Sequence, residues 1–414
     1  MGAGGFIQHK RQSDAIYRMA PKYPNIFLKA GRDYALIKGH PWVFSGAVGK
    51  VEGKPSPGDI VTAVSSSGVP IGLGFYNPLT DIAFRLLAPD TTRTIDAAFW
   101  EKRLQAAMEL RNRIIPPQTT AYRLVNAEGD LLPGLIVDRY GDGLVITIGT
   151  AGMEKIRETI LEILIRHLSP SWIYERSDGR SRRVEGLEDR IGFIHGKEIL
   201  TDVTVLENGF TFTVDPVQGQ KTGFFLDQRV NRERIRTLGQ GATVLNCFAY
   251  TGAFSVYAAS GGAGRVVSVD ISEGANEIAR KNLLQNGFSP DDHPVVKADV
   301  FSFLRDTQER FDLIVLDPPA FAKSKKEVPR ATRGYKDINL QAVRCLKDGG
   351  LLATFSCSNH IDAALFAKIV QGAVSDAGKT AQLLQALGPG PDHPVNLAHP
   401  EGHYLKGCLL RIAP

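Results

Sequence analysis

The feature that most constrains the fold is the alternation of strand and helix signals after about Asp215. Apolar strand segments (VLNCF, VVSVD, VVKAD, DLIVLD and LLATFSC) alternate with helix signals from Ala253, over Glu273–Asn286, near Phe301, from Ile338 and from Ala363. Near-continuous apolar strands that alternate with helices are typical of a parallel sheet covered on both faces. Two final segments, Gln382–Leu387 and Tyr404–Ile412, predict an antiparallel pair that closes the sheet.

Two blocks of different character precede this α/β part. Between Asn25 and about Asp90, short strand segments are separated by turn signals roughly every 8–12 residues, which indicates a small β-rich module. The next block mixes strand signals with two helix signals, over Ala97–Ile115 and about Met153–Leu168. We therefore expect a multidomain α/β protein with a lead-in without structure at residues 1–24, a β domain at 25–95, an α+β domain at 96–214 and an α/β domain at 215–414.

The net charge of the 414-residue chain is only +5, but its positive charge is concentrated in two segments. Residues 1–50 sum to +6 and residues 323–336 to +5, so the rest of the chain is acidic. Clustered cations are expected where a protein binds a polyanion, although a solvated, mobile loop is an equally good interpretation of either segment alone. The cations of the second segment are Lys323, Lys325, Lys326, Arg330, Arg333 and Lys336.

Composition and cysteine usage exclude several classes of protein. The chain is 43% hydrophobic and 22% charged, as in ordinary globular proteins, and it contains no apolar run of about 18 residues that would predict a membrane span. The N-terminus lacks the apolar region of a secretory signal, so the cytoplasm is the expected location. The cysteines lie far apart without metal-ligand spacing, so we predict free thiols and no metal site at Cys247, Cys345, Cys357 and Cys408.

The first strand of the predicted parallel sheet ends in a turn that indicates a cofactor site, because such sheets bind ligands over the carboxyl ends of their strands. The turn reads Asn246-Cys247-Phe248-Ala249-Tyr250-Thr251-Gly252 and lacks the GxGxxG pattern that cradles a pyrophosphate. The next two strands end at Asp270, which could accept both ribose hydroxyls, and at Asp299, which could reach an adenine amine. A ligand with ribose and adenine but no phosphate fits best, and S-adenosylmethionine is the common one.

Each of these two aspartates also has an ordinary structural interpretation. An aspartate at the end of a strand often caps the helix that follows, and for either residue alone that is the better interpretation. The occurrence of both at successive strand ends, beside a turn without a phosphate cradle, favours the cofactor.

The fourth strand ends in Asp317-Pro318-Pro319-Ala320-Phe321, a segment suited to holding a planar base. The two prolines fix a rigid turn and donate no backbone hydrogen bonds. The carboxylate of Asp317 and the proline carbonyls are then free to bind the edge of a base, with Phe321 available to stack. This pattern is typical of enzymes that methylate nitrogen on bases, and it also occurs in some that methylate carbon.

The fifth strand ends at Cys357, which the sequence predicts to be a nucleophile. C5 of a pyrimidine is too weakly nucleophilic to take a methyl group directly, and addition of a thiolate to C6 activates it. A helix that begins near Ile361 is expected to lower the pKa of the thiol through its dipole. A lone cysteine on an apolar strand is more often a small buried hydrophobic residue. The position of Cys357 opposite Asp317 and Pro318 favours the nucleophile.

The same residues give the chain a resemblance to the bacterial large-subunit (23S) rRNA cytosine-C5 methyltransferase I family. The resemblance covers nearly the whole chain after about Asn25, and many spaced segments carry it in the same order. They are Gly39–Val48 (GHPWVFSGAV), Lys221–Arg229 (KTGFFLDQR), Asn246–Gly252, Asp317–Phe321, Arg333–Asn339 (RGYKDIN), Phe355–Ser358 (FSCS), Asp392–Val395 (DHPV) and Pro400–Gly407 (PEGHYLKG).

The resemblance implies an N-terminal PUA domain, a small α+β middle domain and a C-terminal Rossmann-like class I methyltransferase with a mostly parallel sheet. It implies S-adenosylmethionine as methyl donor, S-adenosylhomocysteine as product and a cytosine of 23S rRNA, free or in a precursor of the large ribosomal subunit, as substrate. Cys357 would be the nucleophile, Asp317 would hold N3 of the cytosine and Pro318 its amine. The turn residues Asn246, Phe248, Tyr250, Thr251 and Gly252, with Asp270, Asp299 and Asp317, would hold the cofactor.

Three points stay open at this stage. Many RNA cytosine-C5 methyltransferases have a second cysteine in the fourth-strand motif to release product, and Asp-Pro-Pro-Ala-Phe has none, so the group that removes the C5 proton is unassigned. Transfer to an exocyclic base nitrogen and a non-catalytic RNA-binding assembly factor are the alternative functions. The oligomeric state, including a homodimer, is also open.

Overall fold

A computed structural model describes residues 23–198 and 202–413, whose strands form four sheets. The predicted lead-in lies outside the described residues except for its last two positions, and so do Lys10, Arg11, Arg18 and Lys22 of the basic N-terminal segment. In the described part of the chain, no helix is long and apolar enough to cross a membrane.

The N-terminal sheet has six strands in the order β2-β6-β5-β4-β1-β3. Its neighbours are antiparallel except β1 and β4, which run parallel. Alternate residues such as Ile26, Val61 and Phe84 are fully buried between the strands, as expected for a small β domain with one core. Its elements are β1 Asn25–Leu28, α1 Tyr34–Ile37, β2 Trp42–Phe44, β3 Val48–Val51, β4 Asp59–Val64, β5 Pro70–Tyr76 and β6 Ile82–Ala88.

The middle sheet has five strands in the order β11-β10-β9-β8-β7 and is covered by two long helices. Its elements are α2 Ala97–Ile114, β7 Ala121–Asn126, β8 Leu135–Tyr140, β9 Gly143–Ile148, α3 Ala151–Lys155, α4 Arg157–Leu168, β10 Trp172–Ser177, α5 Arg180–Val184 and β11 Arg190–Gly196. The single helix predicted over about Met153–Leu168 is two helices, because Ile156 leaves the helical conformation (φ −107°, ψ 12°).

A two-stranded hairpin that the sequence analysis missed follows the middle sheet. It consists of β12 Val203–Glu207 and β13 Phe210–Val214, joined at Asn208-Gly209. Both turn residues have positive φ (51° and 85°), which is the conformation of a tight hairpin turn and explains the Asn-Gly pair.

The C-terminal sheet has seven strands in the order β16-β15-β14-β17-β18-β20-β19. The first five are parallel, and β19 and β20 form the predicted antiparallel closing pair. Its strands are β14 Thr243–Cys247, β15 Arg265–Asp270, β16 Val295–Lys297, β17 Phe311–Leu316, β18 Leu346–Ser356, β19 Thr380–Leu387 and β20 Lys406–Ala413. Its helices are α6 Arg229–Arg236, α7 Ala253–Ser260, α8 Glu273–Gln285, α9 Val300–Asp306, α10 Val328–Cys345 and α11 Ala363–Asp376.

The predicted multidomain α/β architecture with a largely parallel final sheet is therefore confirmed. In the C-terminal sheet's helices, α10 begins at Val328 rather than near Ile338, because Pro329 is accepted in the first turn, where its missing N–H has no partner to lose. The central strand β14 lies between β15 and β17, so the chain crosses over in opposite directions on its two sides. Such a switch point opens a crevice at the carboxyl ends of the strands.

A buried cluster of charges ties the C-terminal domain to the middle domain. Asp392, in the loop between β19 and β20, forms an ion pair with Arg229 at 2.8 Å, and both side chains are almost completely buried. The same carboxylate accepts the backbone N–H of Arg123 at 3.1 Å, and the Asp392 carbonyl accepts from Arg111 at 2.8 Å. These contacts fix the loop that leads into β20.

Candidate active site

A cavity of about 340 Å³ opens at the carboxyl ends of β14, β17 and β18. It combines the turn after β14, the segment before α6, the end of β17 and the end of β18. The residues that line it are Gln220, Lys221, Phe224, Phe225, Asp227, Gln228, Arg232, Phe248, Ala249, Tyr250, Thr251, Ala253, Phe254, Asp270, Ile271, Asp317, Pro318, Pro319, Ala320, Cys357 and Leu405. Residues predicted separately for the cofactor and for the chemistry thus share one cavity.

The turn after β14 has an unusual backbone. Phe248 (φ 57°) and Tyr250 (φ 47°) both adopt the left-handed region, in which bulky residues are rare and which clusters at functional sites. The backbone N–H of Tyr250 donates to Oδ2 of Asp270 at 2.9 Å, and its phenol oxygen accepts the N–H of Gln220 at 2.9 Å. These contacts hold the turn against the end of β15 and against the loop before α6.

The two predicted cofactor aspartates occupy different places. Asp270 lines the cavity, and each of its carboxylate oxygens accepts one backbone N–H at 2.9 Å, from Tyr250 and from Ser272. Asp299 does not line the cavity and caps α9 by accepting the N–H of Ser302 at 3.0 Å, which is the structural use considered above. Ser272, not Asp270, caps α8.

Two other residues predicted for the cofactor lie behind the turn. Asn246 is buried and donates to the hydroxyl of Ser255 at 2.9 Å, and Gly252 packs so closely on α8 that a Cβ atom would approach Ala279 to 2.9 Å. Both therefore shape the turn rather than line the cavity. Phe248, Tyr250 and Thr251 do line it.

The cavity wall contains polar atoms that a bound polar ligand would satisfy. Oδ1 of Asp227 and the hydroxyl of Thr251 are buried and have no hydrogen-bond partner among the described residues. Unsatisfied buried polar atoms are rare and costly, so their position in the wall of a cavity indicates a ligand. An amine opposite Asp227 and the hydroxyls of a ribose opposite Asp270 are the groups these side chains would bind, which fits S-adenosylmethionine.

Asp227 and Asp317 are two neighbouring carboxyl groups with opposite pKa shifts. Burial would raise the pKa of Asp227, but Lys221, whose Nζ lies 2.8 Å from Oδ2, and His393 outweigh it and hold that pKa below its usual range. Burial, with the negative charge of Asp227, raises the pKa of Asp317 to about 7. Near neutral pH, Asp227 is a carboxylate and a large fraction of Asp317 is a neutral acid that can donate a hydrogen bond.

Cys357 follows the last residue of β18, and its sulfur lies 4.0 Å from the carbonyl oxygen of Pro318. Ser358 holds this corner in place, since its hydroxyl accepts the N–H of Ala322 at 3.2 Å and pairs with the Tyr335 hydroxyl at 3.0 Å. Cys247 and Cys345 are buried and Cys408 is half-buried, whereas Cys357 faces the cavity.

The predicted lowering of the Cys357 pKa by a helix dipole is wrong. Helix α11 begins at Ala363 and is capped by Asp362, so the thiol lies six residues before the helix and outside its first turn. Burial raises the pKa of Cys357 above its ordinary value, and the charge of Asp317 raises it further. Any thiolate must therefore be stabilised by another group.

Phe321 does not occupy the position predicted for stacking on a base. Its ring packs on Tyr335 with a centroid separation of 4.5 Å and on Phe301 at 6.1 Å, and it does not line the cavity. The aromatic rings at the cavity are instead those of Phe224, Phe225, Phe248, Tyr250 and Phe254.

The basic segment 323–336 is more ordered than a mobile loop. Lys323, Lys325 and Lys326 are exposed beside a short turn of helix, and Arg330 and Arg333 are exposed on the first turns of α10. Lys336 forms an ion pair with Asp376 at 2.7 Å. The segment begins three residues after Ala320, which lines the cavity, and it therefore adjoins the edge of the cavity.

Lys221, Asp227 and Lys406 were not singled out from the sequence, although all three lie in segments that carry the resemblance. Lys221 and Asp227 line the cavity, and Lys406 is buried beside Cys357. No spacing rule identifies them, because Lys221 and Asp227 lie on a loop and Lys406 on an antiparallel strand that the parallel pattern does not include. A lysine at the start of an apolar strand was the one available signal for Lys406.

Comparison with known protein families agrees with this arrangement. The S-adenosylmethionine-dependent methyltransferase family matches residues 159–388, and a PUA-like domain family matches residues 26–89. Ribosomal RNA large subunit methyltransferase I of Aeromonas salmonicida is 45% identical over 391 residues, which cover 93% of this chain and 98% of that protein. The protein of the same name from Shewanella frigidimarina is 43% identical over 392 residues, covering 94% and 99%.

Solved structures show the same architecture over the full length. The structure of the methyltransferase SMU.776 complexed with SAH (S-adenosylhomocysteine) superimposes with a TM-score of 0.82 at 25% identity, covering 94% of this chain and 99% of that one. A methyltransferase structure from Streptococcus mutans gives a TM-score of 0.80 at 24% identity with the same coverage and supports the fold alone.

Proposed function

Because the chain belongs to the S-adenosylmethionine-dependent methyltransferase family that includes the ribosomal RNA large subunit methyltransferases I, we propose that it methylates C5 of a cytosine in large-subunit rRNA through a covalent adduct of Cys357. The observation that carries the proposal is the meeting of Cys357 with Asp317 and Pro318 in the cavity that also contains the turn after β14. A ribosomal substrate would place the protein in the cytoplasm.

S-adenosylmethionine, when bound, supplies an electrophilic methyl group to this cavity. Asp270 is the acceptor for its ribose hydroxyls, and Asp227 is the carboxylate for its amine. Phe248 and Tyr250 line the cavity beside them. Asp299 lies outside the cavity and caps α9, so its predicted contact with the adenine amine has less support than the contacts assigned to Asp270 and Asp227.

The target cytosine is recognised along its Watson–Crick edge. The carbonyl oxygen of Pro318 accepts from the exocyclic amine, and the neutral acid of Asp317 donates to N3. A cytosine must leave the RNA stack to reach a cavity of this kind, and enzymes that act on bases pay a few kcal/mol to extrude them. Both contacts require an unpaired edge, which a flipped or single-stranded cytosine provides.

The chain's own residues then account for the activation of C5. The Cys357 thiolate forms a bond to C6. The C5–C6 double-bond electrons form a new double bond between C4 and C5, and the C4–N3 double-bond electrons accept the Asp317 proton at N3. C5 is now an enamine carbon and takes the methyl group. Loss of the C5 proton re-forms the double bond, expels the Cys357 sulfur and lets N3 return its proton. The base that takes the C5 proton is not assigned.

Methylation of an exocyclic nitrogen is less well supported. That reaction requires no thiol and commonly uses a ring stacked on the base, and the ring expected for this role, Phe321, packs against Tyr335 and Phe301. Cys357, in contrast, faces the cavity although its buried counterparts Cys247 and Cys345 show that the fold can place thiols in the core.

RNA binding is assigned to two regions. The PUA-like domain at the N-terminus and the exposed cations Lys323, Lys325, Lys326, Arg330 and Arg333 offer contacts to phosphates, with Lys336 available when its ion pair with Asp376 opens. RNA-binding proteins read shape and backbone through such contacts. The cations adjoin the cavity, so they would hold the strand that carries the target cytosine.

Nucleoside mass spectrometry tests the proposal. Large-subunit rRNA from a strain that lacks the protein is incubated with the purified full-length chain and labelled S-adenosylmethionine, then digested. We expect label in 5-methylcytidine and none with Cys357→Ala. Label in an N-methylated nucleoside would replace the proposal with the exocyclic reaction. Binding of rRNA without any transfer or cofactor binding would favour an assembly factor.

A further inference from the structure

Lys406, at the start of β20, is a buried cation without an acidic partner. Its residue is 7% exposed, and no other lysine in the described part of the chain is buried. Its ammonium donates to the carbonyl oxygens of Ser358 at 2.6 Å and of Tyr404 at 2.8 Å. Across residues 23–198 and 202–413, no carboxylate oxygen lies within 4.0 Å of it.

A buried ammonium paired only with neutral carbonyls is an expensive arrangement. Lysine is almost never buried unless it is paired, and the effective cost of taking one ion out of water is several kcal/mol. Two carbonyl hydrogen bonds recover part of that cost and leave the positive charge uncompensated. An anion close to Lys406 would recover more of the desolvation cost. The candidate is a thiol, which is negative only after it loses its proton.

Cys357 is that group by its position in the strand pair. Ser356, the residue before it, is paired in register with Lys406, and Ser358, the residue after it, accepts the hydrogen bond of the ammonium. The two residues next to Cys357 in sequence are therefore both in contact with Lys406. The ammonium interacts electrostatically with the sulfur, which favours the charged form of both groups.

We propose that Lys406 is a positioning residue whose ammonium is the counter-ion of the Cys357 thiolate. The proposal rests on the proposed function, in which Cys357 attacks C6. The thiol proton leaves to solvent, Lys406 stays protonated, and the pair Lys406⁺/Cys357⁻ replaces an uncompensated ammonium and a neutral thiol. This is the stabilisation that the distant helix α11 does not provide.

The charges around the pair act on it in opposite directions. Asp317 and Asp227 raise the pKa of Cys357 and Lys221 lowers it. Burial lowers the pKa of Lys406 to about 8, although the Cys357 thiolate and Asp362 both raise it. When Asp317 is protonated, its opposition to the thiolate disappears, and Lys406 and Lys221 are the cations that remain.

A purely structural role for Lys406 predicts different behaviour. If its only task were to bridge the carbonyls of Ser358 and Tyr404, a neutral donor would serve equally well. If its task is electrostatic, charge matters more than hydrogen bonding. Lys406→Gln keeps a donor without the charge, Lys406→Met removes both, and Lys406→Arg keeps both, so the three variants separate the two roles.

The test measures the alkylation rate of Cys357 by iodoacetamide against pH in the full-length chain, with the modified peptide resolved by mass spectrometry. Cys408 serves as an internal reference, and Cys357→Ala identifies the background. We expect Lys406→Met and Lys406→Gln to raise the midpoint of the Cys357 profile by about one pH unit or more, the size typical of a nearby opposite charge. Lys406→Arg should stay close to the unchanged chain.

Folding is checked by thermal unfolding of each variant, and Lys406→Gln carries the comparison if Lys406→Met does not fold. Equal midpoints in the unchanged chain and in Lys406→Gln would overturn the proposal. Failure of the proposed function is a separate result: a chain that forms no 5-methylcytidine yet shows the shifted thiol profile retains the ion pair and loses the assigned reaction. Formation of 5-methylcytidine with an unshifted profile removes the role of Lys406 alone.

Discussion

The sulfur of Cys357 lies 4.0 Å from the carbonyl oxygen of Pro318, across the gap between the ends of two neighbouring parallel strands. This distance brings the proposed nucleophile next to the carbonyl that we assign to the cytosine amine. Two strand ends that are 39 residues apart in sequence therefore meet at the proposed reaction centre.

The first prediction concerns Asp317 and the dependence of methyl transfer on pH. The proposed reaction needs Asp317 protonated, with a pKa of about 7, and Cys357 ionised, with a pKa above its ordinary value. Below pH 7 the rate should rise tenfold per pH unit, because only the thiolate fraction changes. Between the two pKa values it should be level, because gain of thiolate offsets loss of the acid, and above the thiol pKa it should fall.

Asp317→Asn should change the shape of this profile as well as its height. The amide still donates to N3 but transfers no proton, so we expect a loss of about 10²–10⁴-fold, the usual contribution of a general acid. Since no carboxyl group titrates near pH 7, the remaining activity should keep rising until the thiol pKa. Single-turnover rates from pH 5.5 to 10 check this. A level region retained in Asp317→Asn would contradict the role.

The same residue should affect stability in a pH-dependent way. The folded-state pKa of Asp317 is raised, so the folded chain prefers the protonated form and this group destabilises it increasingly as pH rises above the unfolded value. Asp317→Asn removes the penalty, and the free energy of unfolding should increase at pH 8 and change little at pH 4. Chemical denaturation at the two pH values measures the difference; an equal effect at both would count against the raised pKa.

The second prediction separates the two cofactor aspartates. Asp270→Asn removes a charged acceptor from the cavity and should weaken the binding of S-adenosylmethionine about tenfold, the size of one hydrogen bond to a charged group. Asp299→Asn retains a good helix cap and an acceptor. It should have a much smaller effect, and it is the matched control. Isothermal titration calorimetry measures both, and equal losses would require a cofactor position that reaches α9.

The third prediction concerns the exposed cations beside the cavity. Replacing Lys325 and Lys326 together by glutamine removes two phosphate contacts, so the slope of log affinity for RNA against log salt should fall by about 1.4. The matched control replaces Lys102 and Lys197, which are equally exposed on the middle domain. Binding of the cofactor should show little salt dependence in every variant. Fluorescence anisotropy with labelled rRNA fragments measures the slopes, and identical slopes would restore the solvated-loop interpretation.

The fourth prediction concerns the loop between β19 and β20, which contacts the middle domain through Asp392. Asp392→Ala leaves Arg229 as a buried, unpaired charge and also removes the acceptor of the Arg123 N–H. We expect a loss of about 3–5 kcal/mol in the free energy of unfolding. Asp348→Ala breaks an exposed ion pair with Lys379 and should cost at most about 1 kcal/mol. Denaturant unfolding compares them, and equal losses would remove the structural role of the buried pair.

The sequence was informative about the fold wherever a periodic pattern extends over a whole element. The apolar strands β14, β15 and β17 and the closing pair β19–β20 were recognised because burial on both faces leaves a continuous apolar run. The hairpin β12–β13 was missed, although its Asn208-Gly209 turn is a strong signal. The helix predicted from Ile338 begins earlier, at Val328, because a proline such as Pro329 is allowed in the first turn of a helix.

The sequence predicted site residues only where they lie at the ends of strands. Cys357, Asp317 and Asp270 lie at the carboxyl ends of strands predicted to be parallel, so their meeting at one edge of the sheet could be expected. Lys221 and Asp227 come from the segment before α6, and Lys406 comes from an antiparallel strand. Only the three-dimensional structure shows that the first two line the cavity and that Lys406 is buried near Cys357. The pKa of Cys357 was mispredicted because the five residues that separate the thiol from the start of α11 have no signature in sequence.

The most direct measurement is covalent trapping on large-subunit rRNA that contains 5-fluorocytidine. Fluorine at C5 cannot leave as a proton, so an adduct formed by attack on C6 cannot be resolved after methyl transfer. The account predicts a protein–RNA adduct that resists SDS, requires S-adenosylmethionine, is located at Cys357 by mass spectrometry of the digested complex and is absent in Cys357→Ala. A chain that methylates unsubstituted rRNA normally but forms no adduct with the fluorinated rRNA would contradict it.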